Sequence, residues 1–364
     1  MTPTTHPPTS LPDLADADLP GLEQILADFG EPRFRGRQIF HWIWARGVSD
    51  LSNMTDLGQP LRQRLAASFR ISSPALDLRQ VSADGTTKFL FRLDDGQQIE
   101  SVFIPDTPAQ TFCISTQVGC AMRCAFCLTG KMGLLRNLTA AEIAGQARVL
   151  AQDTGLAGQP FNIVLMGMGE PLHNYDATLR AIRILTDAQG LAIPARRITL
   201  STVGVLPGLE KLAQEPIMPN LAISLHATTN AQRDALVPVN RKFTLEDLIA
   251  ACRAFPLAKR RRITFEYVLL DHVNDTPEDA RRLVKLLSGL KAKVNLLPLN
   301  EAPGIPFRRP SDARVNEFAK ILADRDVLVS VRKSRGRDIR AACGQLIVEG
   351  TQKSAAQRLA SALP

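Results

Sequence analysis

Aromatic residues are scarce, at 5% of 364 residues, with two Trp and two Tyr. A recognition surface built mainly on aromatic stacking is therefore not expected. No apolar run reaches the roughly 20 residues that cross a bilayer, so no membrane partner is expected. The first twenty residues, MTPTTHPPTSLPDLADADLP, lack any apolar core. They do not read as a secretory leader, and their Thr, Pro and Asp content predicts a disordered tail. The expected location is cytoplasmic, where the six cysteines serve as thiols or metal ligands rather than as disulfides. A tandem repeat of short fixed period is also missing.

What is present is an ordinary soluble balance, 45% hydrophobic and 22% charged residues. The chain is long enough for a barrel-sized core plus an accessory domain. A net charge of +8 comes from 44 Lys plus Arg against 36 Asp plus Glu. That excess suits a polyanionic partner without requiring one.

After the tail (1–20), residues 21–72 read as a small helical accessory domain. Ile39, Phe40, Ile43 and Trp44 recur at helical spacing, and Gly30 and Gly47 stand where helices stop. Arg33, Arg35, Arg37 and Arg46 lie on or beside its second helix. They make either a solvated face or an RNA-contacting one. Residues 73–110 read as a β-strand extension, with KFLFRL and QQIESVFIP around the turn signal Asp94-Asp95-Gly96. From 111 to 350 strands and helices alternate, which predicts a parallel sheet. The pattern alone does not separate a doubly wound sheet from a partial barrel, but either places function at the C-terminal strand ends. Residues 351–364 read as a C-terminal tail.

Directly after the strand TFCISTQ comes Cys120-Ala-Met-Arg-Cys124-Ala-Phe-Cys127, a C-x3-C-x2-C triplet. Three thiolates on one short loop point at one centre. Structural zinc normally takes four ligands, often as paired knuckles, and no second knuckle follows. Three cysteines on a four-iron, four-sulfur cluster would leave one iron open. The spacing resembles the signature of the radical S-adenosylmethionine (SAM) superfamily. That resemblance implies a [4Fe-4S] cluster on Cys120, Cys124 and Cys127, SAM on the open iron, and a 5′-deoxyadenosyl radical after one-electron cleavage. Gly169 and Glu170, in MGMGEP at the next strand end, resemble its SAM-binding loop. Ser201, Ser224, Leu225, His226 and Asn300 occupy later strand ends and together suggest one pocket.

Cys252 joins Leu245, Leu248 and Ile249 on an apolar helical face and reads as core. Cys343 does not, because the preceding RKSRGRDIR is too polar and too basic. Those cations favour its thiolate. With FCISTQVGCAMRCAFCLTG, RNLT, MGMGEP, TLSTVG, ISLHA, RGRDIRAACGQL and the N-terminal FRGRQIFHWIW, the chain closely resembles the dual-specificity 23S rRNA and tRNA adenine-C2 methyltransferases. The resemblance spans nearly all of the chain past the tail. It implies a partial (β/α)6 barrel with an N-terminal helical domain and a β-hairpin extension.

It also implies a two-SAM mechanism. Cys343 takes a methyl group, loses a hydrogen from it to the radical, and adds the resulting carbon to adenine C2. Glu100 is the proton acceptor that the resemblance implies, with Cys113 a competing candidate for the C2 proton. Cys113 resolves the adduct by attacking the Cys343 sulfur, leaving a disulfide.

The implied partners are 23S rRNA before ribosome assembly is complete and transfer RNA, at an adenine next to the anticodon. A one-electron donor such as flavodoxin and a disulfide reductant are also implied, and the chain is expected to act as a monomer. Lys259–Arg262, Arg196-Arg197 and the stretch from Arg332 to Arg340 supply cations for phosphates. The related adenine-C8 methyltransferases share the same cluster, carrier and resolver and remain open as an alternative.

Overall fold

A computed structural model describes residues 11–105 and 109–348. Three helices open it, α1 (Leu19–Asp28), α2 (Phe34–Trp44) and α3 (Gln59–Ser68). On α2, Ile39, Phe40, Ile43 and Trp44 are all buried, as their helical spacing requires. The tail reading fails for residues 11–20. Leu14 is wholly buried, Asp13 caps the turn Leu14–Asp16, and Arg70 reaches the Asp13 carboxylate at 3.5 Å. One apolar residue fixed by local capping is enough to order so short a segment. Residues 1–10 and the expected tail 351–364 lie outside the described residues.

An antiparallel extension follows: β1 (Ala75–Val81), β2 (Thr87–Arg92) and β3 (Gln98–Ile104). The turn Asp94-Asp95-Gly96 joins β2 to β3 in the register Arg92 to Gln98. Strand β4 (Thr111–Cys113) pairs antiparallel with β3 and parallel with the strand beyond it, so it links the extension to the barrel. A small insertion comes next, β5 (Gln117–Gly119), α4 (Leu128–Met132) and β6 (Leu134–Asn137), with β5 and β6 paired. The cysteine triplet lies between β5 and α4.

The chain then alternates through α5 (Ala140–Asp153), β7 (Asn162–Leu165), α6 (Tyr175–Thr186), β8 (Ile198–Thr202), α7 (Leu206–Leu212) and β9 (Asn220–Ser224). It continues through α8 (Asn230–Leu236), α9 (Leu245–Ala254), β10 (Ile263–Leu269), α10 (Pro277–Leu287), β11 (Ala292–Pro298), α11 (Asp312–Ala323) and β12 (Val329–Val331). Capping boxes start α5, α9 and α10, each with a Thr before the helix and an acid three residues on. The sheet order is β1-β2-β3-β4-β7-β8-β9-β10-β11-β12, with every pair from β4 onward parallel. Residues of β7 through β11 line one cavity, and residues of β4, β7 and β11 line a second that adjoins it. The parallel strands therefore wrap around an interior as a partial barrel.

Beyond β12 an arm of residues 332–348 returns to the barrel. The Leu128 amide donates to the Gly344 carbonyl at 2.8 Å. Thr129 Oγ1 donates to the Leu346 carbonyl at 2.7 Å, and Gln345 Nε2 to the Glu301 carbonyl at 2.9 Å.

Candidate active site

The outer cavity has a volume of about 170 Å³ and opens to solvent. Cys120, Cys124 and Cys127 stand in its wall with Gly169, Glu170, Ser201, Ser224, His226, Asn300 and Cys343. Almost every expected SAM-site position therefore meets the triplet in one place. Leu225 is the exception. Its side chain is wholly buried in the core, and its backbone ties to Glu266 and Arg233.

The loop after β7 is braced rather than free. Leu172 and Val203 amides donate to the two Glu170 carboxylate oxygens at 3.0 and 2.9 Å. Burial pushes the Glu170 carboxyl up to about 7, against those hydrogen bonds. Glu170 thus ties the ends of β7 and β8 together. Gly169 takes φ +105, and a Cβ there would come within 2.8 Å of the Gln117 amide nitrogen. Only glycine meets both conditions.

His226 turns with φ 61, and its Nδ1 accepts the Val268 amide at 3.0 Å. Burial, with the Arg233 charge adding to it, pulls the ring down to about 3. The imidazole is therefore neutral with its proton on Nε2. Phe126 meets this ring edge-on at 4.8 Å, which ties the cysteine loop to the end of β9. Beneath them Arg233, fully buried, donates to the Val203 and Leu225 carbonyls and to Asn240.

The donor chemistry fits an iron–sulfur cluster. Burial pushes the Cys120 thiol up to about 12. Burial, with the charges of Cys127 and Cys120 adding to it, pushes the Cys124 thiol well above its ordinary value. Three thiolates and a carboxylate in one apolar wall repel each other until a cationic iron centre compensates them. Among the described residues, no His, Cys, Asp or Glu group is arranged to hold a single metal ion. The Asn300 Oδ1 atom is shut from solvent with no hydrogen-bond partner, in the same wall. A buried acceptor left open is suited to a donor on a bound ligand.

An inner cavity adjoins the outer one across a shared wall that includes Cys127, Met166, Asn300, Arg332 and Cys343. Cys113 lines only the inner one. Burial pushes its thiol up to about 12, with the Cys343 charge adding and Arg332 opposing. Glu100 lines neither cavity. Its Oε1 pairs with Lys88 Nζ at 2.8 Å, and its Oε2 accepts the Ile347 amide at 2.8 Å.

Sequence reasoning missed Glu266 and treated Arg332 as one of a run of surface cations. Both line the outer cavity. Glu266 is the one charged residue of β10, a signal that was available. Cys252 is buried as core, 2% exposed.

Residues 114–287 match the radical SAM superfamily, and residues 12–71 match the ribosomal RNA large subunit methyltransferase N-terminal domain. A dual-specificity RNA methyltransferase RlmN of Pelobacter propionicus is 49% identical over 93% of this chain and 96% of that one. The chain belongs to the RlmN family. The RlmN of Geobacter sulfurreducens is likewise 49% identical, over 92% of this chain and 91% of its own. A crystal structure of a radical SAM methyltransferase from Sphaerobacter thermophilus superposes with TM-score 0.87 at 48% identity, covering 92% of this chain and 99% of that one. The [4Fe-4S] cluster and SAM are accordingly the cofactors of this fold. Among the described residues no helix is long and apolar enough to cross a membrane.

Proposed function

We propose that this chain methylates C2 of an adenine in ribosomal and transfer RNA, with Cys343 as methyl carrier. The observation that carries the reading is the position of Cys343 in the wall between two cavities. One cavity contains the cysteine triplet and the other contains Cys113. C2 lies between two ring nitrogens and is electron-poor, so an electrophilic methyl offered directly is mismatched in polarity. A thiolate carrier separates methyl capture from carbon–carbon bond formation.

Cys120, Cys124 and Cys127 would hold the cluster. Gly169, Ser201, Ser224, His226 and Asn300 would hold SAM. When bound, these groups would supply one-electron cleavage of a carbon–sulfur bond, hence a radical able to take hydrogen from a methyl group, and an acceptor for the one electron left on the ring once that carbon has added to C2.

Cys343 attacks a SAM methyl as thiolate and keeps it as a thioether. It then presents that carbon to the base. Glu100 takes the C2 proton in this scheme, which requires its carboxylate to leave Lys88 or the Ile347 amide. Cys113 attacks the Cys343 sulfur as thiolate. A sulfur–sulfur bond forms, the sulfur–carbon bond breaks, and the electron pair leaves with the product carbon, which is then protonated. The disulfide needs an external dithiol before the next cycle.

RNA contact falls to cations the fold leaves available. Arg37 pairs with Glu23, and Arg261 donates to the Met218 and Pro219 carbonyls. Arg196, Arg197, Lys259, Arg260 and Arg262 remain for phosphates. The base must leave its stack to reach Cys343, which favours RNA not yet buried in a finished ribosome. A one-electron donor such as flavodoxin and action as a monomer complete the proposal.

The test is anaerobic reconstitution followed by methyl-labelled SAM and RNA. Label recovered as 2-methyladenosine supports the reading. Label recovered as the 8-methyl isomer replaces it with the C8 alternative.

A further inference from the structure

The segment carrying Cys343 is also held by the turn between β1 and β2. Ser82 Oγ donates to Asp338 Oδ1 at 2.5 Å, and the Ala83 amide donates to Asp338 Oδ2 at 3.1 Å. From the same turn, Asp84 Oδ2 accepts the Gly336 amide at 3.0 Å. Asp84 is itself fixed by the Thr86 amide at 2.9 Å. Gly336 has φ +62, and a Cβ there would come within 2.9 Å of Thr86 Cγ2 and 2.7 Å of Ala341 Cβ. The arm therefore meets the turn at backbone distance. Five residues after Asp338 stands Cys343, and on its far side Ile347 is held by Glu100 of β3.

Contacts hold the arm on both sides of the thiol. After it, Leu128 and Thr129 hold Gly344 and Leu346, and Glu100 holds Ile347. Before it, the β1–β2 turn holds Gly336 and Asp338. A short loop held at both ends has its tip confined, and a reaction that needs one sulfur to face two cavities in turn needs that confinement.

We propose that the β1–β2 turn is a dock for the carrier arm, with Asp84 and Asp338 as positioning residues that keep the Cys343 thiol between the two cavities. The antiparallel extension then has a role in the reaction that a bare barrel lacks. The inference rests on Cys343 being the carrier, but its test does not require methylation.

The experiment uses the full chain with Ser82→Ala/Asp338→Ala, and with Asp338→Asn as the milder change that retains one acceptor. Two readouts are taken: amide hydrogen exchange across residues 334–348, and the rate at which diamide joins Cys113 to Cys343. With the dock removed, exchange in the arm should rise about tenfold, the effect of losing one or two hydrogen bonds of ordinary strength. Disulfide formation should slow by a comparable factor, about tenfold, as the effective concentration of the two thiols falls. Asp338→Asn should lie between this variant and the parent, and β7–β11 should keep their protection. In turnover, kcat should fall while KM for SAM stays.

An unchanged disulfide rate and unchanged arm exchange in the double variant would overturn the dock. Protection lost equally over β7–β11 would overturn it too, because the contacts would then serve general stability. Failure of the methylation assay with these two readouts as expected would count against the carrier reading alone.

Discussion

Cys113 on β4 and Cys343 on the C-terminal arm line the same inner cavity, and burial, with the charge on Cys343 adding to it, holds the Cys113 thiol up. Neither thiol is joined to the other in a disulfide. Arg332 lines the same cavity, and its charge opposes the rise in the Cys113 thiol.

Replacing the resolver should separate capture from release. Cys113→Ala should accept a methyl on Cys343, couple to RNA and stop there. Turnover should fall by at least about a thousandfold, as for loss of a group that acts as a unit with its partner. Denaturing electrophoresis of the protein–RNA adduct checks this, and normal turnover would remove the resolving role.

Glu100 offers a sharper discrimination, because its carboxylate lies outside both cavities and already serves Lys88 and Ile347. Glu100→Gln should still allow Cys343 to be methylated. If Glu100 is the proton acceptor, product release should fall by about a hundredfold, the scale of general-base loss. Single-turnover release close to the parent rate would return the C2 proton to Cys113.

Stability has its own probe in Arg233. Removing its guanidinium leaves the Val203 and Leu225 carbonyls and Asn240 Oδ1 buried without their donor. Arg233→Met should cost about 3 kcal/mol, read from the urea midpoint. A change below about 0.5 kcal/mol would mean that the surrounding loops relax to satisfy these acceptors elsewhere.

The arm should also respond to acid. Burial raises the Asp84 carboxyl, but the Thr86 and Gly336 amides and the Thr86 and Ser82 side chains outweigh it and hold it down to about 2. The Ser82 hydroxyl and Ala83 amide likewise lower Asp338, with the Asp84 charge opposing. Arg335 donates to the Asp84 carbonyl from the same arm. Depressed carboxyls contribute stability above their unfolded values, and that contribution is lost as pH falls through the folded ones. Protection of residues 334–348 should therefore decline between about pH 4 and pH 2, read by exchange after correction for intrinsic rates. A decline centred above pH 5 would point to other groups.

Much of this was legible in the sequence, and for physical reasons. β10 reads as a buried strand because Ile263–Leu269 is almost uniformly apolar, and α5 reads as a helix because Thr139 and Glu142 cap it. The cysteine triplet and the GEP loop are local, so spacing alone reveals them. Short elements such as α7 and α8, of seven residues each, carry too few turns for a periodic signal. Leu225 lines neither cavity; a strand-end position does not say which way a side chain points. Arg332 looked like its neighbours in a basic run, yet it follows β12 and turns into the wall. The contact of Ser82 with Asp338 spans 256 residues, and no pattern within either segment announces it.

The most direct test of the central claim is to incubate anaerobically reconstituted enzyme with labelled SAM in the absence of RNA and map the label by peptide mass spectrometry. The account predicts methyl on Cys343 and on no other cysteine, and its loss in Cys343→Ala. A methyl found on Cys113 instead, or RNA methylated by Cys343→Ala, would contradict it.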